Sequence, residues 1–259
     1  MHYTAQYFRD NLPEWKRRKD PILTKIFYRP VSFHISAFCA NHEIQANTVS
    51  VFSTFVAVLS CVMFLFANYW CNIAGALMIS LWLIFDCVDG NLARCVRPQP
   101  FGEFVDAESS YTLVALLGSC IGMSAYRINE GGGGIIFPRG NEWVIFAGAM
   151  ASACDTLVRL VYQKYQNAAA ELSAKGIIPP NREKRTEHEY SGSLRVWLEQ
   201  VPGIGGILPF LILVASVVGA LDLVVCYMVL YYCGGAVVFM AFYTFKAMRF
   251  RNLPMESQK

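Results

Sequence analysis

An all-helical integral membrane fold is predicted by three observations. The 259-residue chain is 55% hydrophobic and only 16% charged, against about 25% charged residues in an ordinary soluble domain, and its mean hydropathy is +0.36. Six apolar stretches each approach the ~20 residues that cross the hydrocarbon core of a bilayer. Lysine and arginine crowd alternate connections between those stretches, the asymmetry that orients membrane helices.

The elements follow in order. Residues 1–46 read as an amphipathic interfacial segment, because Trp15, Ile22, Leu23, Ile26, Phe27 and Val31 alternate with basic residues. Pro21 and Pro30 are expected to break this segment into short pieces. The six-helix membrane domain occupies residues 47–250. Its spans are expected at Asn47–Ala67, Tyr69–Phe85 continuing to Leu92, Phe104–Ala125, Trp143–Val161, Ile204–Ala220 and Leu223–Phe245. Residues 168–199 are polar, contain Pro179-Pro180 and read as a cytoplasmic loop, and 251–259 form a polar tail.

Seven basic residues precede the first span (Arg9, Lys16, Arg17, Arg18, Lys19, Lys25, Arg29), and the second-to-third and fourth-to-fifth connections and the tail add more. The opposite side carries only Arg127 and Arg139. Both termini and the second-to-third connection are therefore placed in the cytoplasm. Net charge is +3 and no basic patch interleaves with aromatics, so nucleic acid is not an expected partner. The nine cysteines lie mostly in apolar runs without metal-finger or disulfide spacing and read as small packing residues. The chain opens without the pattern of a cleavable signal. The glycines at 131–134 read as a flexible connector, since neither a strand before them nor Lys-Ser/Thr after them supports a phosphate cradle. His34, His42 and His188 show no ligand spacing, and Asp222 reads as solvated at the outer end.

The chemistry concentrates where the second span ends. Asp86 and Asp89 are three residues apart and share one helix face, Gly90 and Ala93 leave room beside them, Arg94 follows, and Asp106 opens the next helix. A carboxylate at the centre of a membrane helix costs roughly 2.5–3.5 kcal/mol, and aspartate is too short to snorkel. A hard divalent cation, ligated by oxygen and sharing its shell with substrate phosphates, is the natural compensation. Arg94 has the planar fork that suits phosphate.

The run Asp86-x-x-Asp89-Gly90-x-x-Ala93-Arg94, followed by Gly102-x-x-x-Asp106, resembles the signature of the CDP-alcohol phosphotransferase (CDP-alcohol phosphatidyltransferase) family. The six-span layout and Asn47-Thr48-Val49-Ser50 at the start of the first span are also similar to that family. The resemblance implies that Asp86, Asp89 and Asp106 hold Mg2+ or Mn2+ and that Gly90, Ala93, Arg94 and Gly102 form the site of the CDP moiety. It further implies that an alcohol attacks the donor phosphorus while CMP leaves. The partners it implies are a CDP-linked donor, an alcohol or lipid acceptor and membrane lipids, with a homodimer among the assemblies allowed.

Two departures stand out. Seven residues separate Arg94 from Gly102, one fewer than usual, and the last aspartate of the family signature falls on Ser110. A serine hydroxyl is no base at neutral pH, although it can orient a substrate. Glu108 points about 160° away from Ser110 on a helix. Asp155, which pairs in sequence with Arg159 four residues on, is the expected replacement base. Ser110 is also compatible with an acceptor that is already acidic, or with a loss of activity. Three further readings stand beside transfer from CDP-diacylglycerol or a CDP-alcohol. They are a CMP-activated head group or phosphonate moved onto a lipid or glycan, a non-catalytic CDP- or lipid-binding protein, and a transporter, the last disfavoured because the charges cluster at one face.

Overall fold

The computed structural model describes residues 2–131, 134–138, 140–178 and 202–249, and every regular element among them is helical. Five helices are long and apolar enough to cross a membrane. They are α4 (Ala46–Leu65), α5 (Tyr69–Cys95), most of α6 (Gly102–Gly131), α7 (Trp143–Ala174) and the run Leu221–Met248. Helix α7 runs past its expected end, so residues 168–174 of the expected loop are helical. Residues 179–199 of that loop, residues 132 and 133 of the glycine connector, and Arg139 and His188 lie outside the described residues.

The expected span Ile204–Ala220 comes out shorter. Only Leu208–Val218 (α8) is helical, about 16 Å at 1.5 Å per residue. Gly203, Gly205 and Gly206 precede it, Pro209 sits in its first turn, and Gly219, left-handed at φ 77°, ends it. The run Leu221–Met248 comprises α9 (Leu221–Met228), a π-helical turn at Val229–Cys233 and α10 (Gly234–Met248). Asp222, expected in solvent, is instead 1% exposed. Its Oδ2 accepts from the Ile136 backbone N–H at 2.7 Å, and its place in the first turn of α9 suits a carboxylate.

The N-terminal segment forms α1 (Ala5–Asn11), α2 (Glu14–Lys19), a π-helical turn (Thr24–Tyr28) and α3 (Arg29–Asn41). Proline 21 does separate helices, but Pro30 does not break the chain. The π turn just before it widens the helix, with Arg29 N–H reaching back to Thr24 O, which accommodates a ring that cannot continue the ordinary ladder. Ile22, Ile26, Phe27 and Val31 are exposed along this stretch.

Helices α6 and α7 approach until their backbones touch. A Cβ on Gly118 would lie 2.4 Å from Gly148 O, one on Gly148 would lie 2.1 Å from Gly118 O, and one on Gly122 would lie 2.8 Å from Val144 O. Ser152 Oγ accepts from Gly118 N–H at 2.8 Å within this contact. Small residues that let backbones meet are how helices associate in lipid, where no hydrophobic force drives them together. Ser109 closes the other side of α6: the Trp82 indole N–H donates to its Oγ at 2.9 Å, and Ser53 Oγ lies 2.6 Å away, tying α4 and α5 to α6. Gly148→Ala should therefore wedge α6 from α7 and lower the detergent-solubilised melting temperature, an overpacking cost of about 1–3 kcal/mol. Gly234→Ala, whose added methyl meets nothing within 4 Å, should leave it unchanged or raised. Equal melting temperatures for wild type and Gly148→Ala would contradict this packing.

Candidate functional site

The last two turns of α5 and the first turns of α6 meet at one end of the bundle. Asp89 is 4% exposed and its Oδ2 accepts from Ser50 Oγ of α4 at 2.5 Å. Asp86 is half-buried one turn earlier, and Asp106 is open to solvent at the start of α6. Asp86 and Asp106 act on one another electrostatically, and both act on Asp89. The three expected carboxylates therefore lie at the same end of the bundle and act on one another electrostatically, with Ser50 supporting Asp89.

The connection between those helices is pinned to the start of α4. Gln99 Oε1 accepts from Asn47 N–H at 3.0 Å, and Asn47 Nδ2 donates to Pro100 O at 3.0 Å. Asn47 Oδ1 is buried without a donor and lies 3.4 Å from where a Cβ on Gly102 would be, an acceptor left over at the edge of the site. The exposed Arg94 folds back along its own helix. A Cβ on Gly90 would sit 2.5 Å from Arg94 Nη1, so the missing side chain at Gly90 gives the guanidinium its place. Ala93 is half-buried on the same turn.

Three cations face the acidic cluster. Lys16, Arg29 and Arg94 all act on Asp86, and Lys16 and Arg94 act on Asp106 as well. Arg29, 5% exposed, forms a forked pair with Asp20, Nε to Oδ2 at 2.8 Å and Nη2 to Oδ1 at 2.9 Å. Its Nη1 donates to Asn91 Oδ1 on the motif helix at 2.9 Å, and Asn91 Nδ2 donates to Ser32 Oγ and Ser36 Oγ at 3.1 Å each. Burial works against a charge on Arg29, and Cys87 and Asp20 more than offset it, so its pKa lies above the ordinary arginine value and it stays cationic. None of Lys16, Asp20, Arg29 and Asn91 stands out in the sequence as part of a site. Lys16 and Arg29 read only as charges that orient the chain, because their partners are far away along it.

Asp155 and Ser110 lie deeper. Ser110, half-buried, donates to Ala107 O at 3.1 Å and sits one turn below Asp106 on the same face of α6. Asp155, 7% exposed, accepts from Arg159 Nε at 2.9 Å through Oδ1, while Oδ2 has no partner. The carboxylate lines a narrow crevice with Val114, Leu117, Ser152, Met228 and Tyr232. The Gly118–Ser152 contact sets the register of α6 against α7. On that register Asp155 stands roughly 13 Å along the helix axis from Asp106 and about 8 Å from Ser110. The face running Asp106, Ser110, Val114, Leu117 leads from the acidic cluster to the crevice. His34 is exposed, and His42 Nδ1 lies 2.8 Å from Phe38 O of its own helix, so neither joins the site.

Among the described residues, no three His, Cys, Asp or Glu side chains are gathered closely enough to hold a metal ion as they stand. The donor set nevertheless suits one: three carboxylates and no soft ligand at one end of the bundle, like charges that act on one another. A family model described as CDP-alcohol phosphatidyltransferase matches residues 43–180, just over half of the chain. Comparison of the chain with curated proteins returns no match.

Crowded carboxylates predict a stability signature. Asp106→Asn should raise the melting temperature of metal-free protein by about 2–4 °C, the shift expected for ~1 kcal/mol in a chain of this size. It should also remove the further rise that Mg2+ or Mn2+ gives the wild type. A variant that keeps the full metal response would show that cations bind elsewhere.

Proposed function

Because the chain belongs to the CDP-alcohol phosphatidyltransferase family, we propose that it transfers a substituted phosphate from a CDP-linked donor to an alcohol at a membrane face, releasing CMP. The observation that carries this reading is the meeting of Asp86, Asp89 and Asp106 beside Arg94 within the matched region. Asp86, Asp89 and Asp106 would hold Mg2+ or Mn2+. When bound, the cation supplies charge neutralisation at the diphosphate and on the departing CMP.

The side chains do the remaining work. Ser50 fixes the Asp89 carboxylate, and the Arg94 guanidinium, which lies over Gly90, would turn to the phosphates and open the Gly90–Ala93 face of α5 to the CDP moiety, with Gly102 and Asn47 at its edge. Arg94 places its fork on the phosphates. Asp106 and Asp155 stand ~13 Å apart along the bundle, and the phosphoryl group and the attacking hydroxyl would lie between them. Ser110, halfway, orients that hydroxyl, and Asp155 takes its proton through the unpartnered Oδ2. The acceptor oxygen then bonds to phosphorus as the bond to the CMP oxygen breaks. Holding both reactants in line removes much of the entropic barrier of a two-substrate reaction.

The site faces the cytoplasm in this reading, as do both termini, with Leu208–Val218 as part of a sixth crossing and the exposed apolar residues of the N-terminal segment in the headgroup layer. The product is a phospholipid or another lipid- or glycan-linked phosphodiester.

Purified protein given Mg2+ or Mn2+, a panel of CDP-alcohols including CDP-diacylglycerol, and polyol or lipid acceptors should release CMP, and chelation with EDTA should stop it. Saturable CDP binding with no CMP from any pair would favour a non-catalytic binder. For the proton, Asp155→Asn should lower kcat by 100-fold or more, within the usual ~10²–10⁴ contribution of a general base. Ser110→Ala should cost roughly tenfold or less, the loss of a neutral hydrogen bond. Full turnover in Asp155→Asn would remove it from the chemistry.

A further inference from the structure

The N-terminal segment lies outside the matched residues 43–180, yet it is bonded to the motif helix through Arg29 and Asn91. Lys16 Nζ lies 3.2 Å from Asp20 Oδ1 and its side chain is 22% exposed. Both oxygens of Asp20 are already taken by the Arg29 fork, so Asp20 has one negative charge against two cations. The surplus positive charge is directed at Asp86 and Asp106, on which Lys16 acts. Arg29 anchors the whole arrangement to Asn91, one residue beyond Gly90 on the motif helix.

We infer that Lys16 is a binding residue for the diphosphate of a nucleotide donor, and that Asp20, Arg29 and Asn91 are positioning residues that hold it over the site. The inference rests on the CDP-linked donor proposed above. Three carboxylates with a divalent cation would be left one negative charge in excess, and a doubly negative diphosphate would add to it. Arg94 offsets one of those charges, and Lys16, paired at 3.2 Å with Asp20 and not committed to a fork, is the other cation whose charge acts on both Asp86 and Asp106. An ammonium on a flexible stem follows phosphates through a displacement in which the bridging bond breaks. Arg29, locked at every donor the structure pairs, is suited to placement and not to substrate contact.

The test uses full-length protein in nanodiscs with Mg2+, titrated with CDP and with CMP. Lys16→Met keeps most of the apolar stem and removes the charge. It should weaken CDP about tenfold or more while changing CMP by less than threefold, so the preference for CDP over CMP falls. Lys16→Arg should restore much of that preference. An unchanged preference in Lys16→Met, or an equal loss for both nucleotides, would overturn the inference while leaving the donor reading intact. A wild type that binds neither nucleotide would overturn the donor reading itself, and this inference with it.

Discussion

Three carboxylates converge where α5 ends and α6 begins, in a bundle otherwise built from apolar helices. Asp86 and Asp106 act on one another and on a nearly buried Asp89. Such crowding of like charge costs stability unless something positive answers it. Around it the protein has assembled Lys16 and Arg29 from the N-terminal segment, Arg94 from the motif helix, and the Ser50 hydroxyl from α4. The N-terminal segment is seated on α5 by an apolar cluster of Phe8, Leu12, Phe33, Val88 and Leu92, and the α5–α6 connection is held by Asn47.

The rest of the bundle keeps the cluster aligned with what lies below it. Direct backbone contact at Gly118 and Gly148 sets the register of α6 and α7, and that register places Ser110 and the Asp155 crevice beneath Asp106 on one continuous face. Trp82 and Ser53, both bonded or adjacent to Ser109, fix the opposite face of α6. In the proposed reaction the donor occupies the upper part of this line and the acceptor the lower. The spacing between the two ends is therefore a property of helix packing and not of any single side chain.

Much of this was legible in the chain. Long apolar runs and local spacing gave the all-helical fold and four of the long helices to within a turn at their starts, because period and hydropathy act locally. Local spacing also placed Asp86, Asp89, Gly90 and Arg94 on one helix, where they are found. Four features escaped. The glycine-rich approach and Pro209 shortened one expected span to Leu208–Val218, a cost that a hydropathy count does not register. Pro30 was absorbed by a π turn at Thr24–Tyr28, which widens the helix just before it. The Asp20–Arg29–Asn91 network joins residues up to 71 positions apart, and nothing in the local sequence marks such pairs. Asp222 was misplaced for a related reason, since its partner is the backbone of residue 136 in a distant connection.

The most direct measurement is anomalous scattering from Mn2+ in crystals of the protein grown with CDP. A peak between the Asp86, Asp89 and Asp106 side chains, next to density for the diphosphate, is the result this account predicts. Cytidine density with those three carboxylates apart and no anomalous signal among them would contradict it.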